Sequence, residues 1–170
     1  WALALAEQLG DATLARDAKI ALGRGLAVLH QDTEGFAQCA AVVASTQRTS
    51  PVETMQSMDA VSCQLLALSN QGKFSELREL VDKHLPALRE MLGDQHPIYA
   101  EWVAHESDSA VSTGDFAAAR KYTEQALAMF TQTFGPNDLL VIQMRHAEAM
   151  IDFFEFKYPA ALAKLQSAIA

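Results

Sequence analysis

The chain has 170 residues and a formal charge of −8 from 21 acidic and 13 basic side chains; half of it is hydrophobic, with only 8 Gly and 5 Pro. That composition excludes low-complexity disorder, and an acidic chain without a basic stripe repels the phosphate backbone, which argues against nucleic acid as a direct partner. No run approaches the roughly 18 apolar residues of a membrane span.

In chain order, WALALAEQLG opens with Trp1, Leu5 and Leu9 at helical spacing and has no basic region before Glu7, so it reads as a helix and not as a signal peptide. LGD at 9–11 ends it. The next run is broken by HQDTEG at 30–35 and contains GRG at 23–25, which inside a helical pattern reads as a place of close helix approach and not as a phosphate cradle. A helix predicted over about 36–48 leads to SPVE at 50–53, and another over about 53–70 to NQGKF at 70–74. Leu77, Leu80, Val81, Leu85, Leu88 and Leu92 then fall on one helical face. LGDQHP at 92–97, STGDF at 112–116, FGPND at 134–138 and EFKYP at 155–159 punctuate the rest, with Phe116, Ala119, Ala126, Leu127 and Phe130 forming another such face. Gly72 and Gly114 suit the left-handed end of a helix. Asp115 or Ser75 can cap the next helix, and Pro97, Pro136 and Pro159 fall where helices are expected to start.

The punctuation is periodic. LGD, SPVE, LGDQHP and FGPND stand 41 or 42 residues apart, Gly72 matches Gly114, and Phe74, Phe116 and Tyr158 share one 42-residue register, as do Leu85, Leu127 and Ile169. Short connections make neighbouring helices antiparallel, and each pair must stack on the next to cover its apolar stripe.

The stretch LGDQHPIYAEWVAHESDSAVSTGDFAAARKYTEQALAMFTQTFG resembles a tetratricopeptide repeat of the 42-residue kinesin-light-chain type found in bacterial signalling proteins. Gly114, Phe116, Ala119 and Ala126 stand where that family has its turn glycine, its aromatic and two small residues. Residues 51–92 keep Gly72 and Phe74 but place Leu77 and His84 at the small positions; residues 135–170 keep Tyr158, Ala161 and Ala168 but have Phe156 for the glycine; residues 10–50 match weakly. The resemblance implies an all-α, right-handed superhelical solenoid of about four helical hairpins forming a single array over 1–170, with 1–9 as the trailing helix of an earlier repeat and 93–134 as the best-matched unit. Its inner wall would be lined by the first helix of each pair. With Met58, Ala100 and Ile142 as first positions, that wall would carry Asp59, Ser62 and Asn70, then Glu101, His105, Asp108 and Ser112, then Gln143, His146 and Phe153. Such a wall is acidic and polar, so a basic or amphipathic partner segment suits it, although ordinary solvated helix faces would look the same. A groove of the family's carboxylate-clasping kind is disfavoured, because Ala104 and Asp108 occupy places that need basic or amide side chains.

No HExxH, P-loop, G-x-S-x-G elbow or dinucleotide fingerprint is present. His105, His146 and Asp108 could converge only loosely, and neither a metal nor a cofactor is expected. His96, before Pro97, reads as a cap. The chain is expected not to be an enzyme.

Cys39 and Cys63 each lie twelve residues from Pro51, so a turn centred there sets them level on facing helices. Two small buried thiols are the plainer reading; a disulfide forms if their Cβ vectors converge. The first suits a cytoplasmic chain and the second an oxidising compartment such as a periplasm.

Phe153, Phe154, Phe156 and Tyr158 crowd six residues near the end. That is more aromatic surface than one hairpin covers, which implies a further repeat or self-association through this end, and both termini read as cut from a longer array. The function expected is a protein-interaction scaffold in a larger bacterial signalling or regulatory protein, contacting neither nucleic acid nor membrane; the alternative is a domain of a transcriptional regulator or kinase that senses a small ligand or signalling peptide.

Overall fold

The computed structural model describes residues 2–168, and every regular element among them is a helix. Trp1, Ile169 and Ala170 lie outside the described residues, as does the side chain of Ala168, so the Trp1 end of the first stripe and the Ile169 end of the aliphatic register are not placed. The helices are α1 (Ala2–Leu9), α2 (Ala12–Val28), α3 (Asp32–Ser45), α4 (Pro51–Asn70), α5 (Phe74–Leu92), α6 (Pro97–Ser112), α7 (Phe116–Phe134), α8 (Leu139–Phe154) and α9 (Tyr158–Ala168). These nine helices exceed the eight of four hairpins, and among them α2 and α3, α6 and α7, and α8 and α9 pack as consecutive pairs. None among the described residues is long and apolar enough to cross a membrane.

The 42-residue period is written into the backbone. His30, Gly72, Gly114 and Phe156 stand at that interval, and all four are left-handed, with φ of 58°, 67°, 76° and 62°. At each, the following N–H reaches back to the carbonyl five residues earlier: Gln31 to Leu26, Lys73 to Leu68, Asp115 to Ala110 and Lys157 to Asp152, at 2.8–3.0 Å. This turn satisfies the last carbonyls of one helix and starts the next within three residues. Residues 10–50, whose side chains match the pattern weakly, keep the same turn at His30. A β-carbon in the left-handed region costs roughly 1–2 kcal/mol. Glycine avoids that cost at 72 and 114; His30 and Phe156 bear it.

Gly10, with φ of 67°, makes the same turn, its successor Asp11 bonding to the Ala6 carbonyl at 3.1 Å. LGD at 9–11 is therefore a tight turn and differs from LGDQHP, with which its spacing groups it. The longer connections are capped by side chains. Ser50 Oγ accepts from Glu53 N at 3.2 Å while Glu53 accepts from Thr49 N at 3.1 Å, His96 Nδ1 accepts from Ile98 N at 3.2 Å, and Asp138 Oδ1 accepts from Leu140 N at 2.9 Å. Asp115 caps α7 as expected, accepting from Ala118 N at 3.0 Å, whereas Ser75 is already the second residue of α5. Pro51 and Pro97 open their helices; Pro136 sits in the turn before α8, which begins only at Leu139.

Burial follows the same period. Gly35, Leu77, Ala119 and Ala161, at one register position of α3, α5, α7 and α9, are each buried, as are Gly23, Leu65, Ser107 and Ala149 at one of α2, α4, α6 and α8. The two predicted helical faces hold: Leu77, Val81 and Leu88 of α5 and Ala119, Ala126 and Phe130 of α7 are buried.

The contacts group the chain into two compact units, Trp1–Leu80 and Val81–Ala170, with the boundary inside α5. In the second unit α6 packs on α7, α7 on α8 and α8 on α9. A cluster of Ala110, Ala119 and Ile151 there receives Phe116 and Tyr122 at its edge. In the first unit α1 packs on α2, α2 on α3, α3 on α4, and α2 also on α4.

The first unit's core gathers Ile20, Cys39, Val42, Ala60 and Cys63. Cys39 and Cys63 are level on α3 and α4, as their spacing from Pro51 predicts, with Cα atoms 6.2 Å apart. The expectation of two unlinked thiols is corrected: they form a disulfide. Gly23 makes room for it. A β-carbon there would overlap Cys39 Sγ and stand 3.0 Å from Cys63 Sγ and 2.9 Å from the Gly35 carbonyl, while one at Gly35 would stand 2.7 Å from the Gly23 carbonyl. GRG is thus a close helix approach at its first glycine; Gly25 is exposed.

The bridge closes a loop with a sequence separation of 24 across the irregular 46–50 link. Loop-closure entropy of that size is worth about 3.5 kcal/mol. Urea melts of Cys39→Ser plus Cys63→Ser against the oxidised chain are expected to show a loss of about that size, with reductant having no effect on the variant.

Candidate partner-binding surfaces

In the first unit, the positions assigned to an inner wall are drawn into the α2–α4 seam. Asp59 is ion-paired with Arg24 of α2. Asn70 Nδ2 donates to the Ala27 carbonyl at 3.0 Å and to Asp32 Oδ1 at 2.8 Å, and Ser62 is buried. Gln56, buried farther along α4, donates to the Thr13 carbonyl at 3.0 Å and to Asp17 Oδ1 at 2.5 Å, and accepts from Arg16 Nε at 2.7 Å. Bonds from Gln56 to Thr13 and from Asn70 to Ala27 both span 43 residues, so α2 and α4 run parallel and nearly in repeat register. Sequence reasoning misses this polar seam. Its only trace in the sequence is the charged side chains Arg16, Asp17 and Arg24 of α2, since the Thr13 and Ala27 acceptors are backbone carbonyls.

The second unit leaves five of its seven assigned positions exposed. On α6, Asp108 and Ser112 are exposed and Glu101 and His105 half-buried. His105 Nδ1 lies 3.8 Å from Asp108 Oδ2, and Ser112 Oγ donates to the Ser109 carbonyl of its own helix at 2.7 Å. On α8, Gln143, His146 and Phe153 are exposed. From Pro97 to Ser112, α6 carries Glu101, Glu106 and Asp108 and no Lys or Arg, so its field is negative throughout. No group of three or more His, Cys, Asp and Glu among the described residues could hold a metal ion.

A shallow cleft of about 560 Å³ lies in the second unit, lined by Asp82, Leu85, Pro86, Arg89, Glu90 and Tyr99. Pro86 stands inside α5 and has no N–H to give the Asp82 carbonyl.

The second unit ends in an aromatic platform. Phe153, Phe154, Phe156 and Tyr158 are 48%, 44%, 76% and 51% exposed. Phe153 packs edge-on against Phe154 and Tyr158, with centroids 5.8 and 5.5 Å apart, and Phe156 against Tyr158 at 6.2 Å. Beneath it lies an ion network. Asp152, 4% exposed, accepts from Arg120 of α7 at 2.5 Å and pairs with Lys164 of α9 at 2.8 Å, while Glu155 takes Arg120 as well and Lys157 at 3.2 Å. The sequence holds a signal for this network: the column through Leu26, Leu68 and Ala110 reaches an aspartate at 152, an acid at a core position that requires partners.

No protein-family model matches the chain, and no curated protein is similar to it.

Burial alone would raise the Asp152 carboxyl, but hydrogen bonds from Lys164 and then Arg120, with their charges, outweigh it and hold the group below its ordinary 3.8. Glu155, bonded chiefly by Arg120, is held below its ordinary 4.5. Lowered folded-state values mean that the unfolded chain binds these protons first, so the stabilisation is complete above about 4.5 and falls away as pH drops through the folded values. Thermal melts from about pH 7 to about pH 3 are expected to show that acid loss, shallower in Asp152→Asn. Arg120→Met, which leaves a buried acceptor under-satisfied, is expected to cost about 1–3 kcal/mol at neutral pH.

Proposed function

We propose that the chain is a non-catalytic interaction scaffold of tetratricopeptide type, a solenoid of helix pairs within a larger bacterial signalling or regulatory protein. In this reading the open face of α6 and α8 receives a basic or amphipathic segment of a protein partner. The observation that carries it is the contrast between corresponding positions: Asn70, Asp59 and Ser62 are engaged within their unit, whereas Ser112, Gln143 and His146, one or two repeats on, remain exposed, as does Asp108 on α6. The uninterrupted negative charge of α6 favours lysine and arginine on the partner and repels an acidic one. The Cys39–Cys63 bridge supports residence in an oxidising compartment.

A second reading, a domain that senses a small ligand, draws support from the cleft beside Tyr99, whose size lies within the range of small-molecule sites. A thermal shift produced by a metabolite and lost in Tyr99→Ala would favour it.

For the scaffold, a fluorescent amphipathic helical peptide with lysines on its polar face is the probe. Glu101→Lys plus Asp108→Lys is expected to weaken its binding at least about tenfold, and added salt to weaken binding to the unsubstituted chain. Equal affinity for a peptide with glutamates in place of the lysines would sink the proposal.

A further inference from the structure

Helix α2 is lightly held for its length. Of its 17 residues only Ile20, Gly23 and Ala27 are buried, while Leu14, Leu22 and Val28 are exposed. Gly23 and Gly25 stand in its interior, where glycine favours the unfolded chain. Two small residues among the three buried ones give little apolar area, so the hold on α2 depends on close fit at one place. That place is the Cys39–Cys63 bridge. Its sulfurs are fully buried, with Cys39 Sγ against Gly23 and 4.0 Å from the Ile20 carbonyl, and Cys63 Sγ 3.9 Å from the Gly35 carbonyl.

What α2 covers on α4 is polar. Gln56 holds the Thr13 carbonyl and Asp17, Asp59 holds Arg24, and Asn70 holds the Ala27 carbonyl. Each of these groups can exchange its partner for water at small net cost. An apolar face would aggregate once uncovered, whereas this one tolerates water.

We infer that the bridge is a redox-controlled latch for α2. In the oxidised chain the bonded sulfurs fit beneath Gly23. A dithiol reduces them with two electrons and two protons: its thiolate attacks one sulfur, its second thiol resolves the mixed disulfide, and the products are the Cys39 and Cys63 thiols and the disulfide of the reductant. Unbonded sulfurs need more separation than bonded ones, and the Gly23 backbone and the Ile20 and Gly35 carbonyls already wall them in. The element that yields is α2, and not α4, whose buried residues run from Gln56 to Leu68. Because the bridge is enclosed, the attacking thiolate reaches it only while α2 is lifted, and reduction then keeps α2 from returning. In the scaffold reading Asp59 and Asn70 are wall positions that α2 occupies and reduction opens; the latch itself stands without that reading.

Hydrogen exchange on the full chain, oxidised and after dithiothreitol, reads α2 (12–28), α4 (51–70) and α8 (139–154) separately. A segment of this length with two glycines does not stay helical alone. Reduction is therefore expected to bring the α2 amides to within about tenfold of unfolded-chain rates while α4 and α8 remain at least about a hundredfold protected, and reoxidation to restore α2. Cys39→Ala plus Cys63→Ala, which leaves no sulfur under Gly23, is expected to keep α2 at least about tenfold better protected than the reduced chain. Asn70→Ala, which removes a bond from α4 to α2 and leaves the cysteines untouched, is expected to speed reduction by dithiothreitol at least about threefold. Protection of α2 that survives reduction overturns the inference, as does an unchanged reduction rate in Asn70→Ala. Equal loss from α2 and α4 also overturns it by making the bridge a plain cross-link of the unit, and an alanine pair as open in α2 as the dithiol does so by removing the part played by the sulfurs.

Discussion

At residues 30, 72, 114 and 156 the backbone enters the left-handed region and closes the same hydrogen bond to the carbonyl five residues before the one that comes next. The turn leaves no slack between one helix and the next, so the two lie side by side, and which faces meet is decided by where the turn falls in the helical period. Gly35, Leu77, Ala119 and Ala161 come to equivalent buried positions because each stands five residues after such a turn. None of these helices could bury its apolar stripe alone. The periodic turn converts helix-forming segments of different composition into interchangeable parts, and it tolerates a histidine and a phenylalanine where glycine would be free of strain.

Most of that framework was legible in the sequence, since helix ends and apolar periods are local. Gly72, Gly114, the caps at His96 and Asp115, and the faces of α5 and α7 could be read directly. Residues 10–50 were harder. Their register survives in the backbone while the side chains that mark it have changed, with His30 in place of glycine and Gly35 in place of a larger core residue. The disulfide was half legible: the distances of Cys39 and Cys63 from Pro51 set their level, but the convergence of their sulfurs depends on Gly23 being too small to intervene, a fact of three helices and not of two. The candidate binding positions divide for a similar reason. A wall position is assigned by periodicity, and periodicity cannot tell whether the neighbouring first helix carries a partner, as α2 does for Asp59 and Asn70.

The two units secure their helices by different means. The first uses a covalent bond and glycine contacts beside its polar α2–α4 seam, so its stability is sensitive to reductant. The second uses Arg120, Asp152, Glu155 and Lys164, so its stability is sensitive to acid. Buried charge is seldom the most stabilising solution, since an apolar trio of similar volume would often do as well. What the network gives in return is direction. Asp152 is satisfied only when α7 and α9 present their cations from opposite sides, which fixes α9 on α8 at an angle that aliphatic side chains would leave freer.

That fixed angle bears on the exposed rings. An aromatic cluster on a loosely held final helix would fold back on its own apolar surface and hide at least part of itself, as flexible apolar segments do in water. Lys164, on the same helix as Tyr158 and Leu162, is held to Asp152, and the backbone of Phe156 itself forms the turn. The polar network and the strained turn therefore act together: one prevents the helix from rotating its apolar side inward, and the other keeps the most prominent ring outside.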